Sequence, residues 1–439
     1  MNNINVIFLL VGFVIYFVRP RYVPFYYLIW PTGLLFLTDM FFPLKREDYD
    51  VVIIFYSVIY IWGCCGLTIL FNYKRHRKRE QKIFILLLMF LAYLFAIVIY
   101  RRGTVSSFFV WMMQYVAFVP LWLYVKYNNL NFLFYKRYIV IALCIEILIV
   151  FIQKATGIMP SFSSGMFAEN NTVNIVGTFN RYNTFSDNCS LLLLSLVFIN
   201  EKESGFIPRW LFVTLVIVGS ILVFSSGART VLIAYAVAVF LLVLLKFKNN
   251  RFAIVLGCAI LFYMYSTNVF LLKENVSGNS DGSNYDRFYK LVEISQGRVD
   301  MSSETTLYLS FLLYDEFVSN PIIGPGKLFS SSNGYGGIIT RTETMADSCN
   351  MLYICETGII GVIFLVSFLV LIIKESRERL YPIVFVIYLL IVAVTDYGLF
   401  QGISSIYFIF VSYFTSPASE SIQFHRLGTG KSVNSIDKG

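Results

Sequence analysis

The basic run Lys74-Arg75-His76-Arg77-Lys78-Arg79 is followed, after Glu80-Gln81-Lys82, by an uncharged apolar stretch from Ile83 to Tyr100. A bilayer core near 30 Å is crossed by about 20 helical residues, each rising about 1.5 Å. The stretch therefore predicts a transmembrane helix. The dense basic run predicts which end stays in the cytoplasm, because translocating it is costly.

The same pattern repeats in both directions. Apolar spans run from Ile4 to Val18, Val23 to Leu44, Val51 to Asn72, Val105 to Val125, Tyr138 to Ile158, Phe185 to Ile199, Ile207 to Phe224, Thr230 to Leu245, Phe252 to Leu272, Met351 to Ile373, Pro382 to Val394 and Ile403 to Phe414. The expected fold is an all-α polytopic membrane protein of about 12–13 transmembrane helices. The N-terminal span lacks a positive leader and a small-residue cleavage site, so a retained helix is expected rather than a signal peptide. Residues 1–272 form the first block of helices and 348–415 the last, with a large extracytoplasmic loop over 273–347 and a polar cytoplasmic tail over 416–439.

Composition agrees: 57% of the 439 residues are hydrophobic and 14% charged, well below the quarter or so typical of soluble domains. The net charge of +9 is spread over short basic runs between apolar stretches, as the positive-inside rule requires, and not over a nucleic-acid-binding face. Lys136-Arg137, Lys246 to Arg251 and Lys374 to Arg379 alternate onto the cytoplasmic side with Lys74 to Arg79. Cysteines 64, 65, 144, 189, 258, 349 and 355 show neither metal-site spacing nor a disulfide framework.

Two long segments fall on the other side, Met159 to Thr184 and Lys273 to Asp347. In the longer one, apolar Leu307, Tyr308, Phe311, Leu312, Tyr314, Phe317 and Val318 recur at largely helical spacing, predicting an amphipathic surface helix over Glu304 to Asn320 that Pro321 stops.

Both histidines, His76 and His425, are assigned to the cytoplasm, so the extracytoplasmic face has no imidazole for base catalysis or metal binding. It has arginines instead: Arg181, Arg229, Arg287, Arg298 and Arg341. Positive charge is disfavoured there, and one reason to keep it is a diphosphate, which the planar guanidinium grips with paired charge-assisted hydrogen bonds. The plainer reading is a snorkelling or salt-bridged helix-end arginine. Asp347-Ser348 reads either as a helix N-cap or as a general base. Glu146, with Gln153 two turns on, is an intramembrane ionisable group, either functional or a hydrogen-bonded packing residue. No nucleotide-binding loop is present: Gly324-Pro325-Gly326 lacks the lysine and the strand–turn–helix setting.

Asn320-Pro321-Ile322-Ile323-Gly324-Pro325-Gly326, followed by Glu356-Thr357-Gly358-Ile359-Ile360-Gly361, resembles the loop-and-helix signature of the O-antigen polymerase and ligase superfamily. Gly177-Thr178-Phe179-Asn180-Arg181-Tyr182-Asn183 is similar to its Gly-Thr-Phe segment, though Tyr182 and Asn174 stand where proline and arginine are common. Ser226-Gly227-Ala228-Arg229-Thr230 and Gly297-Arg298 resemble two further elements. Asp347 occupies the position of the ligase histidine, which points to the polymerase branch (Wzy type).

The resemblance implies a GT-C-like fold in the bacterial inner membrane. It implies an inverting, metal-independent, cofactor-free glycosyltransferase that joins undecaprenyl-diphosphate-linked oligosaccharides at the periplasmic face. Expected partners are these lipid-linked sugars, membrane lipid and a polysaccharide chain-length regulator. Arg298 and Arg229, with Arg181, Arg287 and Arg341, would hold the diphosphate, and Asp347 would be the base. An O-antigen ligase and a lipid-linked oligosaccharide flippase are the rival expectations.

Overall fold

The computed structural model describes residues 3–44, 56–72, 78–100, 116–161, 176–179, 182–203, 205–226, 228–246, 317–324, 349–394, 398–400 and 402–416. Among them the regular elements are helices, with no strand. In chain order they are α1 (Asn3–Val18), α2 (Val23–Ile29), α3 (Leu35–Phe41), α4 (Ser57–Asn72), α5 (Lys78–Tyr100), α6 (Phe118–Asn128), α7 (Phe132–Thr156), α8 (Tyr182–Lys202), α9 (Arg209–Ser225), α10 (Arg229–Lys246), α11 (Cys349–Glu375), α12 (Leu380–Val392) and α13 (Gly402–Phe414). The protein is all-α over these residues, as expected. Lys82–Tyr100, Phe132–Thr156 and Tyr353–Glu375 are long and apolar enough to cross a membrane, and further apolar helices are shorter.

Two expected spans depart from straight helices. Val23 to Leu44 is carried by α2 and α3 joined through a π-helical turn at Trp30–Leu34. Pro31 has no amide to donate, and the widened turn absorbs it. Met351 to Ile373 lies within α11, which breaks at Gly358 (φ 62°, ψ −168°). The expected surface helix is described only at its end, helical at 317–319 and turning at Pro321; the span Phe252 to Leu272 lies outside the described residues.

The bundle is organised around α8 and α13, both apolar-rich and buried nearly all round. A helix with no exposed face must be enclosed by others. Helices α7, α9, α10 and α12 flank α8, and α6 and α12 flank α13. The enclosing helices turn large apolar side chains outward, among them Phe17 on α1, Leu148 on α7, Trp210 on α9 and Ile363 on α11. An exterior of this kind suits lipid rather than water.

Charged contacts gather at one end. Lys126 pairs with Glu375 at 2.7 Å, Lys246 with Glu201 at 3.3 Å and Lys136 with Glu203, while Tyr381 donates to Glu201 and Lys202 to the Phe414 carbonyl. The Arg377 amide also donates to the Thr415 carbonyl (2.9 Å), and Tyr124 to that of Pro20 (2.7 Å). Among them, Lys136, Lys246, Glu375 and Arg377 belong to the basic runs expected to share one side. At the opposite end the Asp39 carboxylate accepts from the Leu44 and Ser161 amides, both at 2.7 Å.

Candidate functional site

Helix α7 starts at Asn131, whose side chain accepts from the Leu133 amide (2.9 Å), and ends at Gly157 in the left-handed conformation. Its buried stripe is Ile139, Leu143, Glu146, Val150 and Gln153, at helical spacing, so Glu146 and Gln153 face the same way. They meet the Gly177-Thr178 turn. Gln153 donates through Nε2 to the Gly177 carbonyl (2.6 Å) and accepts at Oε1 from the Gly177 amide (3.0 Å). Glu146 accepts from the Thr178 hydroxyl at Oε1 (2.6 Å) and from its amide at Oε2 (3.2 Å). Three of these four bonds from one helix face thus satisfy a short stretch of non-helical backbone buried in an apolar bundle, where unsatisfied groups are expensive.

Gly177 has φ +55°, and a Cβ there would lie 2.4 Å from Glu146 Oε2 and from the Phe185 ring. The turn closes with the Phe179 amide donating to the Val176 carbonyl (3.0 Å), and Phe179 is fully buried.

A second piece of irregular backbone sits at Gly358. In a continuous helix the amides of Ile359 and Ile360 would pair with the carbonyls of Cys355 and Glu356. Here they donate to Pro321 (2.9 Å) and Ile322 (3.4 Å). The break also frees the Thr357 carbonyl, which accepts from the Tyr93 hydroxyl on α5 at 2.5 Å. A Cβ on Gly358 would fall 2.2 Å from the Ile322 carbonyl oxygen, so the close approach requires glycine as much as the positive φ does. The two halves of the signature, Asn320 to Gly324 and Glu356 to Gly361, are therefore paired backbone to backbone. Tyr353, a turn before the break, stacks on Phe400 with centroids 5.0 Å apart, tying α11 to the Gly398–Phe400 turn.

Helix α8 also carries a buried polar cluster that the sequence reading did not single out. Asp187 on α8 accepts from Tyr388 (2.8 Å) and Ser404 (2.5 Å), and Asn188 accepts from Tyr407 (2.7 Å). The signal was present: Ser186-Asp187-Asn188 is a polar triplet inside an expected span, the same criterion that drew attention to Glu146. The tyrosines that meet it come from distant elements and carry no sequence signal of their own.

Of the expected site residues, Arg229 is the first residue of α10. Ser226 prepares that start: its hydroxyl donates to Val223 (2.7 Å) and accepts from the Ala228 amide (3.3 Å). An arginine in a helix's first turn gains nothing from the macrodipole, which favours anions there. Arg181 follows the Gly177 turn by two residues beyond Phe179, and Asp347 precedes α11 by two; both lie outside the described residues, as do Arg287, Arg298 and Arg341.

Among known proteins, no family's sequence model matches this chain and no curated protein is significantly similar to it. Over the described residues, fold and site together define an all-helical protein with an apolar exterior, one helix broken at Gly358 and a buried hydrogen-bonded turn at Gly177.

Proposed function

We propose that the chain is a polytopic inner-membrane glycosyltransferase of the O-antigen polymerase (Wzy) type. It would polymerise undecaprenyl-diphosphate-linked repeat units into O-antigen or capsule polysaccharide at the periplasmic face. The observation that carries this reading is the pairing of the two signature halves at Gly358, held by the Ile359 and Ile360 amides on Pro321 and Ile322. Interrupted helices that are buried in protein or line a cavity are a recurring way to present polar groups to a substrate within a membrane.

The chemistry asks little of the protein. Diphosphate is a good leaving group once its charge is met, which assigns Arg298 and Arg229, supported by Arg181, Arg287 and Arg341, to hold it. Asp347 deprotonates the acceptor hydroxyl, and the membrane orients the lipid-linked donor and the lipid-linked acceptor in one groove. The growing chain passes to the sugar of the incoming repeat unit with inversion and without a metal. The gathering of the basic-run segments at one bundle end and of Asp39, Leu44 and Ser161 at the other supports the alternating topology that puts these groups outside.

Glu146, an ionisable group inside an apolar span, is the feature that favours the rival flippase reading. That group is engaged with both donors of Thr178, which favours a fixed role. Deleting the gene and separating surface polysaccharide on a gel tests the proposal. A polymerase deletion leaves a single repeat unit on the lipid A core; loss of all repeat units indicates a ligase or flippase, and an unchanged ladder overturns all three.

A further inference from the structure

We infer that Arg21 and Arg137 form a docking site for the headgroup phosphate of an anionic phospholipid at the charged end of the bundle, an inference that rests on the membrane topology proposed above and not on the glycosyl transfer. Pro20 to Tyr22 make the single turn between α1 and α2, in which the Tyr22 amide donates to the Arg19 carbonyl (2.9 Å). Tyr124 holds this turn at the charged end through the Pro20 carbonyl. Tyr22 meets Phe134, near the start of α7, edge to face with centroids 4.9 Å apart, and Phe25 packs on Phe134 (4.4 Å) and Tyr138 (5.9 Å). Arg137 follows Phe134 by three residues and so lies on the same face of α7. Long side chains on a helix lean toward its N-terminus, which carries Arg137 toward the charged end. The Tyr22–Phe134 contact thus has an arginine on each side, one from the turn and one from the helix.

Arg21, Arg137 and Tyr22 are exposed, and neither guanidinium has a hydrogen-bond or ion-pair partner among the described residues. The carboxylates of Glu203, Glu375 and Glu201 at this end are taken by Lys136, Lys126 and Lys246. The positive-inside rule accounts for basic residues on this side, but it does not ask for two uncommitted arginines at one ring contact. The neighbouring surface names the ligand. Phe17 and Val18 close α1 just before Arg19, and Leu133 and Ile141 stand one turn to either side of Arg137; all four are exposed. A ligand that touches both the guanidiniums and these side chains is an anion that carries acyl chains. Guanidinium gives phosphate oxygens paired, charge-assisted hydrogen bonds, and an exposed tyrosine suits the headgroup level.

The test uses the full chain in dodecyl maltoside micelles, titrated in parallel with dioleoyl phosphatidylglycerol, dioleoyl phosphatidylcholine and inorganic phosphate, and reads the midpoint of thermal unfolding. Phosphatidylglycerol should raise the midpoint by about 2 °C, and the other two should leave it in place. Arg21→Gln and Arg137→Gln should each weaken the affinity read from that shift about tenfold. Arg209→Gln, at an exposed arginine that opens α9, should leave it unchanged. Each variant is compared with its own lipid-free midpoint, so a change in intrinsic stability does not imitate a change in binding. Equal shifts with phosphatidylglycerol and phosphatidylcholine overturn the inference, as does an equal shift with inorganic phosphate. Undiminished binding by the Arg21→Gln/Arg137→Gln double variant overturns it too, and so does an equal loss in Arg209→Gln, which would make the attraction one of diffuse charge. All of these outcomes leave the proposed function standing, whereas a chain that stays folded and monodisperse in buffer without detergent removes the membrane reading itself.

Discussion

Gly358 and Gly66 make opposite demands on a methyl group. Alanine at Gly358 would combine a positive φ with a Cβ 2.2 Å from a backbone carbonyl, whereas at Gly66 on α4 nothing lies within 4 Å. Gly358→Ala should therefore lose about 3 kcal/mol of stability, read as a fall in thermal unfolding temperature and in membrane yield. Gly66→Ala should be neutral or gain about 0.5 kcal/mol in the same assay. Individual residues of the site were legible in the sequence: Glu146 as an ionisable group in a span, Gly177-Thr178-Phe179 as a motif, Pro321 as a stop. Their meeting was not, because a contact across 24 residues, such as Gln153 with Gly177, leaves no periodic trace.

At the level of elements, two of the lysines at the charged end of the bundle differ in setting. Lys136 on α7 is buried, with its ammonium 4.2 Å from the Phe206 centroid and 5.3 Å from that of Phe132, beside Glu203. Lys246 on α10 is 57% exposed and faces a half-exposed Glu201. Lys136→Ala should lower stability by about 1–2 kcal/mol through lost ring and packing contacts, and Lys246→Ala by less than about 0.5 kcal/mol, both measured by thermal unfolding in detergent. Helix placement was readable because each element is an apolar run bounded by charge. The break in α11 was not, because Met351 to Ile373 stays strongly apolar on average despite Glu356 and Thr357, and hydropathy is blind to a backbone that leaves the helix without changing its surroundings. Likewise the π turn of α2 and α3 was announced only by Pro31.

For the whole molecule, the alternating topology makes a sided prediction. Lys154, near the Gly157 end of α7, and Glu378, between α11 and α12, are both exposed. A membrane-impermeant maleimide should label Lys154→Cys in cells with a permeabilised outer membrane, and Glu378→Cys only after lysis; the reverse pattern would invert the molecule and remove the arginines from the periplasm. The account's central claim is that these arginines hold the diphosphate of a lipid-linked sugar while the chain is lengthened. Its most direct test is the surface polysaccharide of the gene-deleted strain complemented with Arg229→Ala/Arg298→Ala at wild-type membrane levels. The account predicts a single repeat unit on the core with no ladder, and a full-length ladder from that double variant would contradict it.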